Sequence, residues 1–125
     1  MAEAIKKHVL VCDDDLDTVE ILRIKLENAG FGVIVARDGQ ECLEKFQQAT
    51  PGLLIVDVMM PKFSGFKVVR LLKSDKRFAG IPMVILTART QEADKQMSVS
   101  VEADAYITKP FNLDALLETV KKLIK

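Results

Sequence analysis

Carboxylates, one hydroxyl and one ammonium stand at the ends of short apolar runs in this chain of 125 residues. Asp13, Asp14 and Asp15 follow HVLVC (His8 to Cys12), Asp57 closes the run that starts at Leu53, Thr87 closes IPMVILT, and Lys109 follows AYIT (Ala105 to Thr108). Asp13, Asp14 and Asp57 brought together repel one another, and a hard divalent cation with oxygen ligands is the usual resolution. Magnesium suits such a site better than calcium. Two or three carboxylates, a backbone carbonyl and open positions leave room for the waters and phosphate oxygens that Mg²⁺ prefers to keep. An anionic ligand held there would use Lys109 as a point charge and Thr87 as a hydrogen-bond donor. That combination describes phosphoryl transfer.

Each residue also has a plain structural reading. Aspartate is a favoured helix cap and suits the positive first turn, which accounts for one residue of the run, Asp15 or Asp17. Threonine at a strand end is an ordinary β-former, and lysine before proline an ordinary solvated loop residue. Tyr106 alone reads as a half-buried strand aromatic. The joint position of these residues carries the chemical reading. His8, the only histidine, has no matching ligand nearby and is given no role.

For the groups to meet, the runs that carry them must be neighbouring parallel strands. Leu53 to Val56 is too short for a helix and too apolar for a surface strand, so it reads as a strand buried on both faces, with Asp57 at its carboxyl end. His8 to Cys12, Gly32 to Ala36, Ile81 to Thr87 and Ala105 to Thr108 read as four more. Helical patterns separate them. Val19, Leu22, Leu26 and Ala29 share one face before a stop at Gly30; Leu43 and Phe46 face inward after Asp38-Gly39; and Phe66, Val69 and Leu72 mark a helix over Ser64 to Ser74. Gln91 to Val101 carries only a thin stripe of Ala93, Met97 and Val101, which suggests a mobile helix. Asn112 caps a last helix striped by Leu113, Leu116, Leu117, Val120, Leu123 and Ile124, with Phe111 and Leu116 as a hydrophobic staple and Asp114 in the first turn. Strands alternating with helices mean an α/β fold, a doubly wound parallel sheet covered on both faces. In such sheets ligands bind outside the carboxyl ends of the strands, where these carboxylates, the hydroxyl and the ammonium stand.

Composition narrows the function classes. The length is one domain's worth, residues 1–125. Lys plus Arg equals Asp plus Glu at 18 each, so the global charge offers nothing to nucleic acid or to an anionic membrane. The longest apolar runs are short and the start MAEAIKKHVL lacks a signal-peptide stretch, so a soluble, cytoplasmic protein is expected. Cys12 and Cys42 form neither CxxC nor a metal spacing and read as reduced core residues.

Taken in order, DDD after the first strand, DVMMP around Asp57, Thr87-Ala88 after VIL, and Ala103-Asp104-Ala105-Tyr106 leading to Lys109-Pro110-Phe111 make the chain resemble, over essentially its full length, the receiver domain of two-component response regulators. It is most similar in kind to a stand-alone receiver of the chemotaxis type. The resemblance implies a flavodoxin-like (βα)5 sheet of order 2-1-3-4-5, and a phosphorylated signalling switch that is not an enzyme in the usual sense. It implies Asp57 as phosphoacceptor, taking the phosphoryl group from a phosphohistidine of a histidine kinase or phosphotransfer protein. It implies Mg²⁺ held by Asp14, Asp57 and the Met59 backbone carbonyl, with Asp13 acting partly through water. Lys109 is then expected to pair with a phosphoryl oxygen, Thr87 to turn its hydroxyl to the phosphate, and Tyr106 to move inward. The output surface implied is the fourth helix, fifth strand and fifth helix, about Gln91 to Lys125, contacting a downstream protein or output domain from a monomer or a weak homodimer formed on phosphorylation. The Lys109-Pro110 bond is expected to be cis.

Ser64 stands where an aspartate usually precedes Gly65 in this family, and Glu102 where a glycine usually ends the fourth helix, although a non-glycine residue in the left-handed region costs about 1 kcal/mol. Met59 and Arg89, two residues beyond Asp57 and Thr87, occupy positions that tune hydrolysis in the family; an apolar Met59 and a long Arg89 are expected to hinder the attacking water. Three other readings compete. A phosphatase of the haloacid-dehalogenase type would use Asp13 and Asp15 as its Asp-x-Asp pair but leaves Asp57 without a nucleophilic role. A receiver used only as an unphosphorylated docking module leaves the filled site unexplained. A flavodoxin-like cofactor binder needs Ser, Thr and Gly after the first strand, where this chain has carboxylates that would repel a phosphate.

Overall fold

The computed structural model describes residues 7–87 and 103–124. Its sheet holds β1 (His8–Cys12), β2 (Gly32–Ala36), β3 (Leu53–Asp57), β4 (Met83–Thr87) and β5 (Ala105–Thr108), all parallel, in the order β2-β1-β3-β4-β5. Helices α1 (Leu16–Asn28), α2 (Gly39–Ala49), α3 (Gly65–Lys73) and a C-terminal helix (Leu113–Leu123) connect and cover the strands. The fold is the doubly wound α/β sheet expected from the sequence.

Strand alternation divides the core into two layers. Leu10, Cys12, Leu54, Val56, Met83 and Ile85 point to the side where Cys42 and Phe46 of α2 and Phe66, Val69 and Leu72 of α3 pack. Val9, Val11, Leu53, Ile55, Val84 and Leu86 point to the other side, against Leu22 and Leu26 of α1 and Leu116 and Val120 of the C-terminal helix. Because both faces are covered, β3 and β4 are buried along their whole length, which explains their unbroken apolar runs. Phe46 meets Phe78 edge to face with ring centroids 5.1 Å apart, an arrangement that contributes about 1 kcal/mol beyond burial. Cys12 and Cys42 are both buried and free. Burial, then the neighbouring Cys42 thiol, pushes the Cys12 thiol up, so it stays protonated and unreactive.

The helix starts are set by side chains that accept backbone N–H groups left over by the first turn. Asp15 caps α1, Asp38 caps α2, Ser64 caps α3 and Asn112 caps the C-terminal helix. Ser64, in the place of the family's aspartate, thus keeps a defined task by accepting from the Lys67 N–H. Three boundaries differ from the sequence reading. Serines 64 and 74 cap α3 and lie outside it, β4 starts at Met83 after Pro82, and Ala29 is the cap of α1 and does not share its buried face. A proline cannot donate to the strand ladder, and a small apolar residue in a terminal turn has no core to enter. The helix expected over Gln91 to Val101, with Ala88, Arg89, Glu102 and Lys125, lies outside the described residues.

Candidate phosphoacceptor site

Strand register brings the chemical residues to one sheet edge. Cys12 is level with Val56, which sets Asp13 beside Asp57. Asp57 is level with Leu86, so Thr87 is one residue further along β4, and Thr87 is level with Thr108, which puts Lys109 next. Backbone bonds carry the pairing past the strand ends: the Asp13 N–H donates to Ala36 O at 3.1 Å, the Val58 N–H to Leu86 O at 3.0 Å, and the Lys109 N–H to Thr87 O at 2.6 Å. The Lys109-Pro110 bond is cis.

The aspartate run divides its work. Asp15 turns into the cap, accepting from the Asp17 N–H at 3.1 Å and the Thr18 hydroxyl at 2.9 Å, and these bonds hold its carboxyl below the usual carboxylate range. Asp13, Asp14 and Asp57 form the cluster: one carboxylate oxygen from each lies within 4.8 Å of the others. Asp13 is fully buried and Asp57 is 5% exposed, whereas Asp14 is open to solvent. Asp13 is fixed from two sides, by the Asp15 N–H on Oδ1 at 3.0 Å and by Lys109 Nζ on Oδ2 at 2.9 Å. Lys109 Nζ also lies 3.4 Å from Asp57 Oδ1, so one ammonium faces two buried carboxylates.

Among the described residues, one paired cation, Lys109, faces the cluster of three carboxylates, which leaves the cluster with excess negative charge. Burial, and next the charge of Asp13, raises the Asp57 carboxyl to about 6, against the pull of Lys109 and with a smaller push from Asp14. For Lys109, burial alone would lower the ammonium, but the hydrogen bond and charge of Asp13, joined by Asp57, outweigh it and hold Lys109 above its ordinary value. A cluster of hard oxygen donors, partly buried and under-neutralised, fits the acidic triad of a receiver Mg²⁺ site.

The loop after β3 is shaped by close backbone approach. A Cβ on Gly65 would lie 2.3 Å from the Asp57 carbonyl oxygen, and the Gly65 N–H donates to Val58 O at 3.0 Å, so only glycine lets α3 begin against the end of β3. Lys62, at φ 70, makes the left-handed turn between them. Met59, two residues beyond Asp57 in the chain, is 71% exposed. Thr87 is buried at the end of β4. Tyr106 lies outward on the edge strand, its hydroxyl accepting from the Ala103 N–H at 3.2 Å. Arg89 lies outside the described residues.

Two features were assigned no role from the sequence. Asp104 closes the opposite edge of the sheet, its Oδ2 accepting from Lys73 Nζ at 2.9 Å and from the Met83 N–H at 2.8 Å, a link between residues 31 and 21 positions apart. The second is a cleft lined by Thr18, Ile21, Lys109, Pro110, Phe111 and Leu113, built from both ends of the chain.

Residues 9–121 match the model of the response regulator receiver domain. The chain is 37% identical over 121 residues to the alkaline phosphatase synthesis transcriptional regulatory protein PhoP of Bacillus subtilis, covering 97% of this chain and 50% of that protein. It thus spans about half the length of the curated relatives it matches. Among solved structures, the chemotaxis response regulator CheY4 of Vibrio cholerae superposes with a TM-score of 0.88 at 32% identity over 96% of this chain and 100% of that one. The receiver domain of a signal transduction histidine kinase from Syntrophus aciditrophicus gives 0.90 at 32% identity, covering 94% and 89%. With the parallel sheet in this order and an acidic pocket at its carboxyl edge, the chain belongs to the response regulator receiver domain family, the signalling modules of two-component signal transduction.

Proposed function

We propose that Asp57 is the phosphoacceptor of a two-component phosphorelay and that the donor is a phosphohistidine on a histidine kinase or phosphotransfer protein. The observation that carries this is the buried Asp57 carboxylate, held 3.4 Å from Lys109 and within 4.8 Å of the Asp13 and Asp14 oxygens. A carboxylate oxygen of Asp57 attacks phosphorus, the new O–P bond forms as the N–P bond to the donor imidazole breaks, and the leaving imidazole takes up a proton from solvent. Asp14, Asp57 and the Met59 carbonyl would hold Mg²⁺, with Asp13 acting through bound water. Bound Mg²⁺ neutralises charge on the phosphoryl oxygens.

The chain's own residues supply the rest. Lys109, at the end of β5 and two strands from Asp57, is positioned to pass from the carboxylates to a phosphoryl oxygen once Asp57 is modified, because the acylphosphate spreads its charge outward. Thr87 offers a hydroxyl next to Asp57 in the register. Its turn toward the phosphate would free space for Tyr106 to move inward, altering the face made by β5 and the C-terminal helix. That face then meets a downstream protein or an output domain, as a monomer or as a weak homodimer, in the cytoplasm. No helix among the described residues is long and apolar enough to cross a membrane. The dehalogenase-type reading loses support because Asp15, half of its Asp-x-Asp pair, is engaged in capping α1.

Incubation with acetyl phosphate and Mg²⁺, followed by intact mass measurement, is expected to show one added phosphoryl group. The adduct should be absent without Mg²⁺ and in Asp57→Asn. An adduct that survives Asp57→Asn and maps to Asp13 would overturn the assignment in favour of strand-one chemistry.

A further inference from the structure

Mg²⁺ tolerates little deviation from octahedral geometry, so the segments that carry its ligands must be held relative to one another. The sheet does this for Asp13 and Asp57, which lie at the ends of paired strands. The loop of residues 59–63 lies beyond the ladder. Among the described residues, a single backbone hydrogen bond joins it to another element: the Gly39 N–H, at the start of α2, donates to Pro61 O at 3.3 Å. Two side-chain features accompany that bond. Lys62 Nζ lies 3.6 Å from Asp38 Oδ2, and a Cβ on Gly39 would lie 2.5 Å from the Phe63 Cβ and 2.6 Å from the Phe63 carbonyl oxygen, so only glycine lets the loop close onto α2. The loop needs such support because its turn is strained. The Phe63 N–H donates to Pro61 O at 2.8 Å across Lys62, whose φ is 70, which is the rare form of the three-residue γ-turn. A non-glycine residue stays at such a φ only where its surroundings over-determine it. The same connection reaches the other ligand-bearing segment, since Ala36 O accepts from the Asp13 N–H at 3.1 Å. Residues 36–39 thus bond to both segments, while Asp38 stands outside the carboxylate cluster and caps α2.

We propose that Asp38 and Gly39 are positioning residues of the cation site: the turn from β2 into α2 holds the loop of residues 59–63 against the strand ends and thereby sets the Mg²⁺ affinity. The inference rests on the reading of Asp13, Asp14, Asp57 and the Met59 carbonyl as the Mg²⁺ site given above. Displacing the loop moves backbone that carries a ligand, and the loss of a supporting contact of this kind costs about ten-fold in metal affinity. The coupling is reciprocal. A closed turn that favours the bound cation is itself favoured by that cation, by the same factor.

Isothermal titration of the full chain with Mg²⁺ provides the first test. Gly39→Ala is expected to raise the dissociation constant about ten-fold, because its Cβ pushes Phe63 and the loop away from α2. Asp104→Ala, which loosens the opposite edge of the sheet, should bind Mg²⁺ as the wild type does. The second test needs no variant. Amide hydrogen exchange followed by NMR should show the Gly39 N–H slowing about ten-fold on saturation with Mg²⁺, the same factor by reciprocity. The Glu41 N–H, which donates to Asp38 within the same turn at 2.8 Å, should slow less. A folded Gly39→Ala with the wild-type dissociation constant overturns the proposal, as does an equal loss of affinity in Asp104→Ala. Gly39 exchange that is indifferent to Mg²⁺, or that slows no more than Glu41, overturns it as well, and these exchange data decide the matter if Gly39→Ala does not fold. Absence of Mg²⁺ binding by the wild type overturns the cation-site reading itself and this proposal with it.

Discussion

Replacing Asp57 by Asn should stabilise the metal-free protein, although it removes the residue at the centre of the site. In the folded chain, burial and the charge of Asp13 raise the Asp57 carboxyl from 3.8 to about 6. A carboxyl that holds its proton more tightly when folded than when unfolded contributes most stability below the unfolded value, and that contribution is lost as pH rises to and through the folded value. Just over two units at 1.36 kcal/mol each amount to about 3 kcal/mol of strain at neutral pH. Asn carries no charge and escapes it. In urea titrations with EDTA, Asp57→Asn should therefore exceed the wild type by about 3 kcal/mol near pH 7.5, and the gap should shrink to about 1 kcal/mol near pH 4.5. Mg²⁺ should narrow the gap at neutral pH, since a cation that binds only the folded wild type stabilises it alone. Equal stabilities at neutral pH, or a gap that does not change with pH, would refute the claim that the site is an under-neutralised carboxylate cluster.

Three further outcomes are expected. Gly65→Ala forces a Cβ to 2.3 Å from the Asp57 carbonyl oxygen, so either the end of β3 or the start of α3 must shift; thermal unfolding should show a loss of about 2 kcal/mol or more, with slower formation of the Asp57 adduct. Asp104→Ala leaves Lys73 and the Met83 N–H without their shared acceptor at the far edge of the sheet; chemical denaturation should register a loss of about 2 kcal/mol while the rate of adduct formation per folded molecule is unchanged. Met59→Asn places a polar side chain at a position two residues beyond Asp57 that is 71% exposed. If Met59 hinders the attacking water, the phosphoryl lifetime followed by mass should shorten, and an unaltered lifetime would remove that role.

The strands could be read from the sequence because burial on both faces leaves a one-dimensional trace, a run of four or five apolar residues bounded by polar ones. The run Leu53 to Val56 shows this best, since every residue of β3 is buried and its boundaries agree with the apolar pattern. Caps were legible for the same reason: Asn112 acts through the N–H of Ala115, three residues away, and local bonds leave local signatures. The start of β4 was less legible, because Ile81 and Pro82 are as apolar as the strand they precede and only the ladder distinguishes them. Among the site residues, the sequence determined the types, a run of aspartates after β1, a lone aspartate at the end of β3, a hydroxyl and an ammonium, together with the strand end that carries each.

Tertiary structure decided how those groups share their work. The sequence left the capping role open between Asp15 and Asp17, and the cap geometry settles it on Asp15. Lys109 is 96 residues from Asp13, and the register of β1, β3, β4 and β5 alone puts its ammonium against both buried carboxylates. Long-range placement of this kind depends on side-chain reach and on which strands become neighbours, and neither is written in any short stretch of chain. The cleft between α1 and the segment after β5 is the clearest case, because Thr18 and Ile21 acquire a shared surface with Phe111 and Leu113 only when the sheet closes the distance between the two ends of the chain.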